Sequence, residues 1–324
     1  MKNVETRSYG INLILRKYAR FPWYLPLPAH MEHGWTALAN ALVSDLAAHQ
    51  PLMLVFSKRR KAAWKKASKV PVEIMGAPFI LYKKIHNIKQ KKDAKGTVVF
   101  PGHSTYDLKS RYSIEDLCLE LKTLPAKFQP VTICLFWLDY IDPNANIYRR
   151  RGFKVVSAGP KISNSLRFVK NFYSILSRHK YAASNEIGSH TVYAVDLGLP
   201  FFMVGKATVL ENLAKRDVNV AKVTKQQDFL CARRAMKLFS TGPSSKITSA
   251  QKKFIVQEAG ICDRLTSDQM RDCFFHYLKQ DGYLIKKIIP YFFDSIVHAF
   301  LFNMPWVGWL MRWRKKLAEP KGKK

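Results

Sequence analysis

Thr97-Val98-Val99-Phe100-Pro101-Gly102-His103-Ser104-Thr105 and Val131-Thr132-Ile133-Cys134-Leu135-Phe136-Trp137-Leu138 are the stretches whose reading decides the fold. Each is mostly apolar on consecutive positions, Val98–Phe100 in the first and Ile133–Leu138 in the second. That pattern belongs to a short strand covered on both faces. A helical pattern over Ile114–Leu124 separates the two runs. Outward along the chain come a helix over Pro143–Arg151 and a strand over Phe153–Ser157. A helix over Ser163–His179, capped by Ser163, leads to a short strand over Lys180–Ala183. A helix over Ile187–Leu197 is stopped by Gly198 and followed by a strand over Pro200–Val204. Two-sided strands alternating with helices predict an α/β fold with a parallel, doubly wound sheet. Ligands of such sheets collect beyond the carboxyl ends of the strands.

Toward the N-terminus, Tyr9–Pro28 is apolar and basic, and Pro22, Pro26 and Pro28 prevent one long helix. A helical pattern from about Trp35 to His49 precedes a strand over Leu52–Phe56. A helix over Lys58–Lys69 leads to a strand over Val72–Met75, closed by Gly76 and Pro78. Lys83–Lys95 is polar and basic, and reads as a linker or as a solvated helix face. The expected organisation is residues 1–90, residues 91–284 and a C-terminal segment 285–324, with helices over Gln226–Phe239 and Ser249–Gly260.

The 324 residues carry 54 Lys+Arg against 23 Asp+Glu, a formal charge of +31, with 48% hydrophobic residues. The apolar share excludes a disordered basic tail, which lacks the residues to bury a core. The charge calls for an anionic partner: nucleic acid, an acidic membrane leaflet or a phosphorylated substrate. Five cysteines without a C-x-x-C pair read as reduced thiols in a cytoplasmic compartment. Glu5 and Arg7 interrupt the apolar core that a signal peptide would need.

Three segments carry candidate chemistry. Ser184-Asn185-Glu186-Ile187-Gly188-Ser189-His190-Thr191 follows a short strand and opens a helix. The free N–H groups of a first helical turn, with the Ser189 and Thr191 hydroxyls, suit a phosphate; capping alone is the plainer reading. His103, in the turn after the Thr97–Phe100 strand, can donate to a phosphate or protonate a leaving group; it can equally bond only to backbone. Glu32-His33-Gly34-Trp35-Thr36 precedes a helix, so His33, or Glu32 in its place, is a candidate general base, or simply a surface residue. Asp139 and Asp142 flank Tyr140-Ile141 and lack the D-x-D spacing of a metal-bound nucleotide-sugar site. No metal site is expected.

Two further segments address surfaces. Lys58, Arg59, Arg60, Lys61, Lys65, Lys66 and Lys69 share one helix. They are either a solvated face or a patch for an acidic membrane, where each cation contributes about 1 kcal/mol. In Ile285–Lys316, Trp306, Trp309 and Trp313 precede Arg312, Arg314, Lys315 and Lys316 or lie among them. Asp294, His298, Asn303 and Pro305 interrupt any span, leaving an interfacial amphipathic helix or one packed within the protein.

In this order the segments resemble a GT-B glycosyltransferase of bacterial surface-polysaccharide or lipopolysaccharide synthesis. The layout is that of the superfamily holding the teichoic-acid-type glycerophosphotransferases and, more distantly, the sialyl- and Kdo-transferases. His33-Gly34 matches its early His-Gly element. Leu52–Phe56, the basic helix and Gly76-Ala77-Pro78 match the strand, helix and Gly-x-Pro turn that follow. Phe100–Ser104, Ser184–Thr191 and Gly198-Leu199-Pro200 match the second domain. The resemblance covers about residues 30–205. Glu186-Ile187-Gly188-Ser189 stands where the glycerophosphotransferases have an Asp-Tyr-Ser-Ser-like turn. Ser104 follows His103 where sialyltransferases have His-Pro, so the donor stays open.

The resemblance implies two Rossmann-like domains facing a cleft. The N-terminal one would take the acceptor and the second the nucleotide donor, with no metal and no cofactor. The C-terminal helix would cross back onto the first domain or meet the membrane. It implies sugar transfer from a nucleotide-activated donor to a lipid-linked or glycan acceptor, peripheral to the cytoplasmic face of the inner membrane. His103, Ser104, Thr105, Ser184, Asn185, Gly188, Ser189, His190 and Thr191 would hold the donor, and His33 or Glu32 would act as base. A nucleic-acid-binding protein is the rival from another class, although no RRM, KH, zinc or helix-turn-helix signature is present. A non-catalytic assembly protein that kept the fold is a second.

Overall fold

A computed structural model describes residues 5–32, 34–41, 43–46, 50–106, 108–213 and 230–279. The strands are β1 (Ala29–Met31), β2 (Leu52–Val55), β3 (Val72–Ile74), β4 (Thr97–Val99), β5 (Leu108–Arg111), β6 (Val131–Cys134), β7 (Lys154–Val156), β8 (Tyr181–Ser184), β9 (Phe201–Met203) and β10 (Val209–Asn212). The helices are α1 (Ile11–Ala19), α2 (Val43–Leu46), α3 (Lys58–Ala67), α4 (Pro78–Ile85), α5 (Ile114–Thr123), α6 (Trp137–Ile141), α7 (Ala145–Arg150), α8 (Arg167–Leu176), α9 (Ser189–Leu197), α10 (Leu230–Phe239), α11 (Ser249–Glu258) and α12 (Ser267–Lys279).

β1, β2 and β3 form a parallel sheet in that order. The larger sheet is parallel throughout, in the order β7-β6-β4-β8-β9. The chain starts at the centre, winds outward to β7, then returns to lay β8 and β9 on the other side of β4. The winding direction therefore reverses between β4 and β8, the point where open α/β sheets bind ligands. β5 and β10 form a separate antiparallel pair beside that edge.

Strand alternation distributes the core. Val98, Ala182 and Phe201 face one apolar cluster, while Val99, Ile133, Ala183 and Phe202 face another. The second cluster is closed by Leu117, Cys118 and Leu121 of α5 and by Ala145 and Tyr148 of α7. The first continues into the smaller sheet through Ala29, Met31, Leu52 and Leu54. The Phe79 and Tyr193 rings stack at 4.9 Å between α4 and α9 within it. The outer face of the smaller sheet buries Met53, Val55, Val72 and Ile74 against Trp64 of α3. Mixed α/β architecture with parallel sheets thus matches expectation.

Several local expectations do not hold. The helix over Trp35–His49 reduces to α2 among the described residues. Arg59 donates to the Thr36 and Leu38 carbonyls, and Arg60 to those of Leu38 and Asn40, so these oxygens are taken by guanidinium and not by a helical ladder. Ser163 does not cap α8, which begins at Arg167 after Leu166. Asn164 lies in the left-handed region (φ 54°) and its N–H goes to the Arg7 carbonyl, which delays the helix. The strand expected over Val131–Leu138 stops at Cys134, and Trp137 already opens α6. The stretch Lys83–Lys95 is tied to the fold: α4 runs into it, and Lys91 and Lys95 donate from their amides to the Ser177 and Arg178 carbonyls.

Candidate functional site

The turns that leave β4 and β8 are laced together. The Phe100 N–H bonds the Ala183 carbonyl at 2.8 Å, and the Ser184 hydroxyl donates to the Phe100 carbonyl at 2.5 Å. The Gly102 N–H donates to Asn185 Oδ1 at 2.7 Å. A Cβ on Gly102 would overlap the Thr208 side chain, so the turn needs glycine there for space. Ser184 and Asn185 are buried, and their polar atoms serve this lacing.

The lacing sets His103 against Glu186, Nδ1 to Oε1 at 3.5 Å. Desolvation pulls the imidazole down, but the Glu186 carboxylate, with Asp139 behind it, outweighs that and holds His103 above its ordinary 6.5. Glu186 is correspondingly held below the usual carboxylate range, because His103, with His190, offsets its burial. Ser104 is fixed twice: its N–H donates to Asp139 Oδ2 at 3.0 Å and its Oγ accepts from the Ser110 N–H. Thr105 closes the turn by accepting from the Leu108 N–H.

His190 differs from His103. Desolvation pushes its pKa down to about 4, and its ring stacks on Phe100 at 5.5 Å. It is neutral at physiological pH and packs as an aromatic ring. Thr191 is buried and accepts from the Gly188 N–H, while the Ser189 and His190 N–H groups find no acceptor among the described residues. The first turn of α9 therefore presents two amides at the point where the sheet changes direction.

The early segment reaches the same place. The Trp35 N–H donates to Ser189 Oγ at 3.0 Å, and Gly34 (φ +55°) approaches that oxygen. Gly34 and Trp35 thus meet the head of α9, while His33 lies outside the described residues. Trp35 is anchored further by Glu258, which also takes Arg59. Glu32 is 2% exposed, and both its oxygens are engaged, by Arg60 Nε at 2.7 Å and the Phe56 N–H at 3.0 Å. Burial raises its carboxyl and Arg60 partly offsets this. Both oxygens of Glu32 are thus engaged within the fold, one by the main chain and one by a guanidinium.

The basic helix also requires correction. Arg60 is buried on Glu32, Arg59 pairs with Glu258, Lys61 with Glu73 and Lys58 with Asp263. Arg59, Arg60 and Lys61 are thus engaged within the fold, while Lys58, Lys65, Lys66 and Lys69 are exposed. The tail residues Trp306, Trp309, Trp313, Arg312 and Arg314 lie outside the described residues. Among the described residues no helix is long and apolar enough to cross a membrane, and no group of three His, Cys, Asp or Glu residues is placed to hold a metal ion.

No protein-family model matches the chain, and no curated protein matches it in sequence. Two residues central to the site escaped the sequence reading, Glu186 and Asp139. Glu186 lay within the quoted segment. Asp139 carried one usable signal: it sits just beyond the carboxyl end of an apolar strand that neighbours β4.

Proposed function

We propose that the protein is a glycosyltransferase that moves a sugar from a nucleotide-activated donor to a lipid-linked or glycan acceptor. Its two-domain GT-B organisation, 1–90 for the acceptor and 91–284 for the donor, belongs to this proposal. So does a peripheral position on the cytoplasmic membrane face, with 285–324 at the lipid or folded back. The observation that carries the reading is the convergence of three segments distant in sequence. Gly34-Trp35, the His103 turn and the head of α9 meet where the parallel sheet reverses.

In this reading the donor phosphate sits against the Ser189 and His190 amides, with the His103 imidazolium beside it. His33 accepts the proton of the acceptor hydroxyl as that oxygen bonds to the anomeric carbon. The bond from that carbon to the phosphate oxygen breaks, and its electron pair leaves with the phosphate. Amides and imidazolium fixed in advance stabilise the charge that develops there. The chain's own residues supply this stabilisation, and the reading invokes no metal or cofactor. The test is a thermal-shift screen against UDP-, GDP-, CDP- and CMP-activated sugars, since a ligand raises apparent stability by mass action. His33→Ala then lowers turnover at least about a hundredfold while donor affinity stays within twofold. Equal loss of both refutes the base.

A further inference from the structure

Beside His103 lie aromatic side chains that the core does not fully bury, Phe136 and Trp137 half-buried and Tyr106 exposed. α6 contributes no buried residue; Tyr140 is 37% and Ile141 67% exposed. Tyr106, just past the His103 turn, is 77% exposed. The Phe136 ring lies 5.0 Å from the His103 ring and 6.3 Å from Trp137, and Trp137 meets Tyr106 edge-on at 6.4 Å. A row of rings therefore runs outward from the imidazole. Asp139, on the same short helix, holds the Ser104 amide and so locks the row to the His103 turn.

We propose that Tyr106, Phe136 and Trp137 form a stacking shelf for the nucleobase of the donor. This rests on the nucleotide donor of the function proposed above. The direction follows from the sheet. β4 lies between β8 and β6. The acceptor-side segment reaches α9, which follows β8, through the Trp35–Ser189 bond, so the transferred sugar lies on that side of the phosphate. The nucleoside must leave the other way, across the end of β4 toward β6, and Phe136 and Trp137 follow β6. Aromatic rings beside a phosphate site suit a base because every base offers a flat face for stacking.

The experiment titrates the full-length protein with UMP, CMP, GMP, AMP and inorganic phosphate by calorimetry. The tightest mononucleotide should bind about tenfold more weakly to Trp137→Ala, and near wild-type affinity should remain in Trp137→Phe. Inorganic phosphate should bind all of these alike. Tyr106→Ala removes a largely exposed ring and gives a second, fold-neutral variant with the same expected direction. Unchanged mononucleotide affinity in both alanine variants overturns the shelf and leaves the transferase reading standing. A parallel loss of inorganic phosphate also overturns it, as damage to the turn. A wild-type protein that binds none of the four mononucleotides overturns both.

Discussion

His103 and Glu186 form a pair whose state depends on pH. The carboxylate keeps the imidazole protonated above its ordinary 6.5 despite desolvation. Their attraction is therefore present at and below that pH, and it is lost as pH rises through the elevated titration point. Glu186→Gln should lower the His103 midpoint, read from its ring resonances by NMR. The same variant should bind inorganic phosphate more weakly at pH 8. At pH 5, where His103 is protonated with or without Glu186, it should bind phosphate at least as tightly, because a competing negative charge is gone. Weakening at both pH values would mean that Glu186 only supports the fold. Glu32 makes the opposite case. Both oxygens of this 2%-exposed side chain are occupied. Glu32→Gln leaves Arg60 buried without its counter-charge and should cost about 3–5 kcal/mol in urea unfolding. Any fall in turnover should then track the unfolded fraction, and a full loss of turnover in still-folded protein would favour Glu32 over His33 as the base.

Elements rather than residues decide how much of this was legible in advance. The strands of the larger sheet could be read because burial on both faces leaves largely apolar runs, as in Val131–Cys134, where Thr132 is the one polar residue and is buried with the rest. β1 is three residues long and its His30 is buried on Asp45 at 3.2 Å, so it carries no such run. The stretch after Trp35 has a helical apolar period, yet two arginines from α3 take its carbonyls, a tertiary effect that local pattern does not contain. For the site, the two turns were legible because Gly, Ser and His followed strands. The pairing of His103 with Glu186 was not, since periodicity says nothing about which side chains meet across a sheet edge. Gly102 tests whether the lacing of those turns matters. Gly102→Ala puts a methyl into Thr208 and should cost about 1–3 kcal/mol of stability. By parting the Gly102–Asn185 bond, it should also move His103 away from Glu186 and lower the His103 midpoint. A destabilised variant with an unshifted midpoint would uncouple the turn from the pair.

At the scale of the whole molecule, the formal +31 is more dispersed than the sequence of α3 suggests, because four of its six cations pair with acids of the same chain. The apolar architecture makes a sharper statement. One cluster contains Leu52 and Leu54 of the smaller sheet, Val98 and Phe201 of the larger one, and Phe254 and Phe274 of α11 and α12. The two sheets share this cluster beside clusters of their own, so the two should melt together. Unfolding by urea should be a single transition with coincident midpoints by tryptophan fluorescence and far-UV circular dichroism, as two-state behaviour requires. Phe79 sits at the seam, 6% exposed and stacked on Tyr193. Phe79→Ala should lower stability by about 3–5 kcal/mol and shift both probes equally. If instead it splits the curve in two, the sheets belong to separately stable lobes, and the shared cluster is an interface between them.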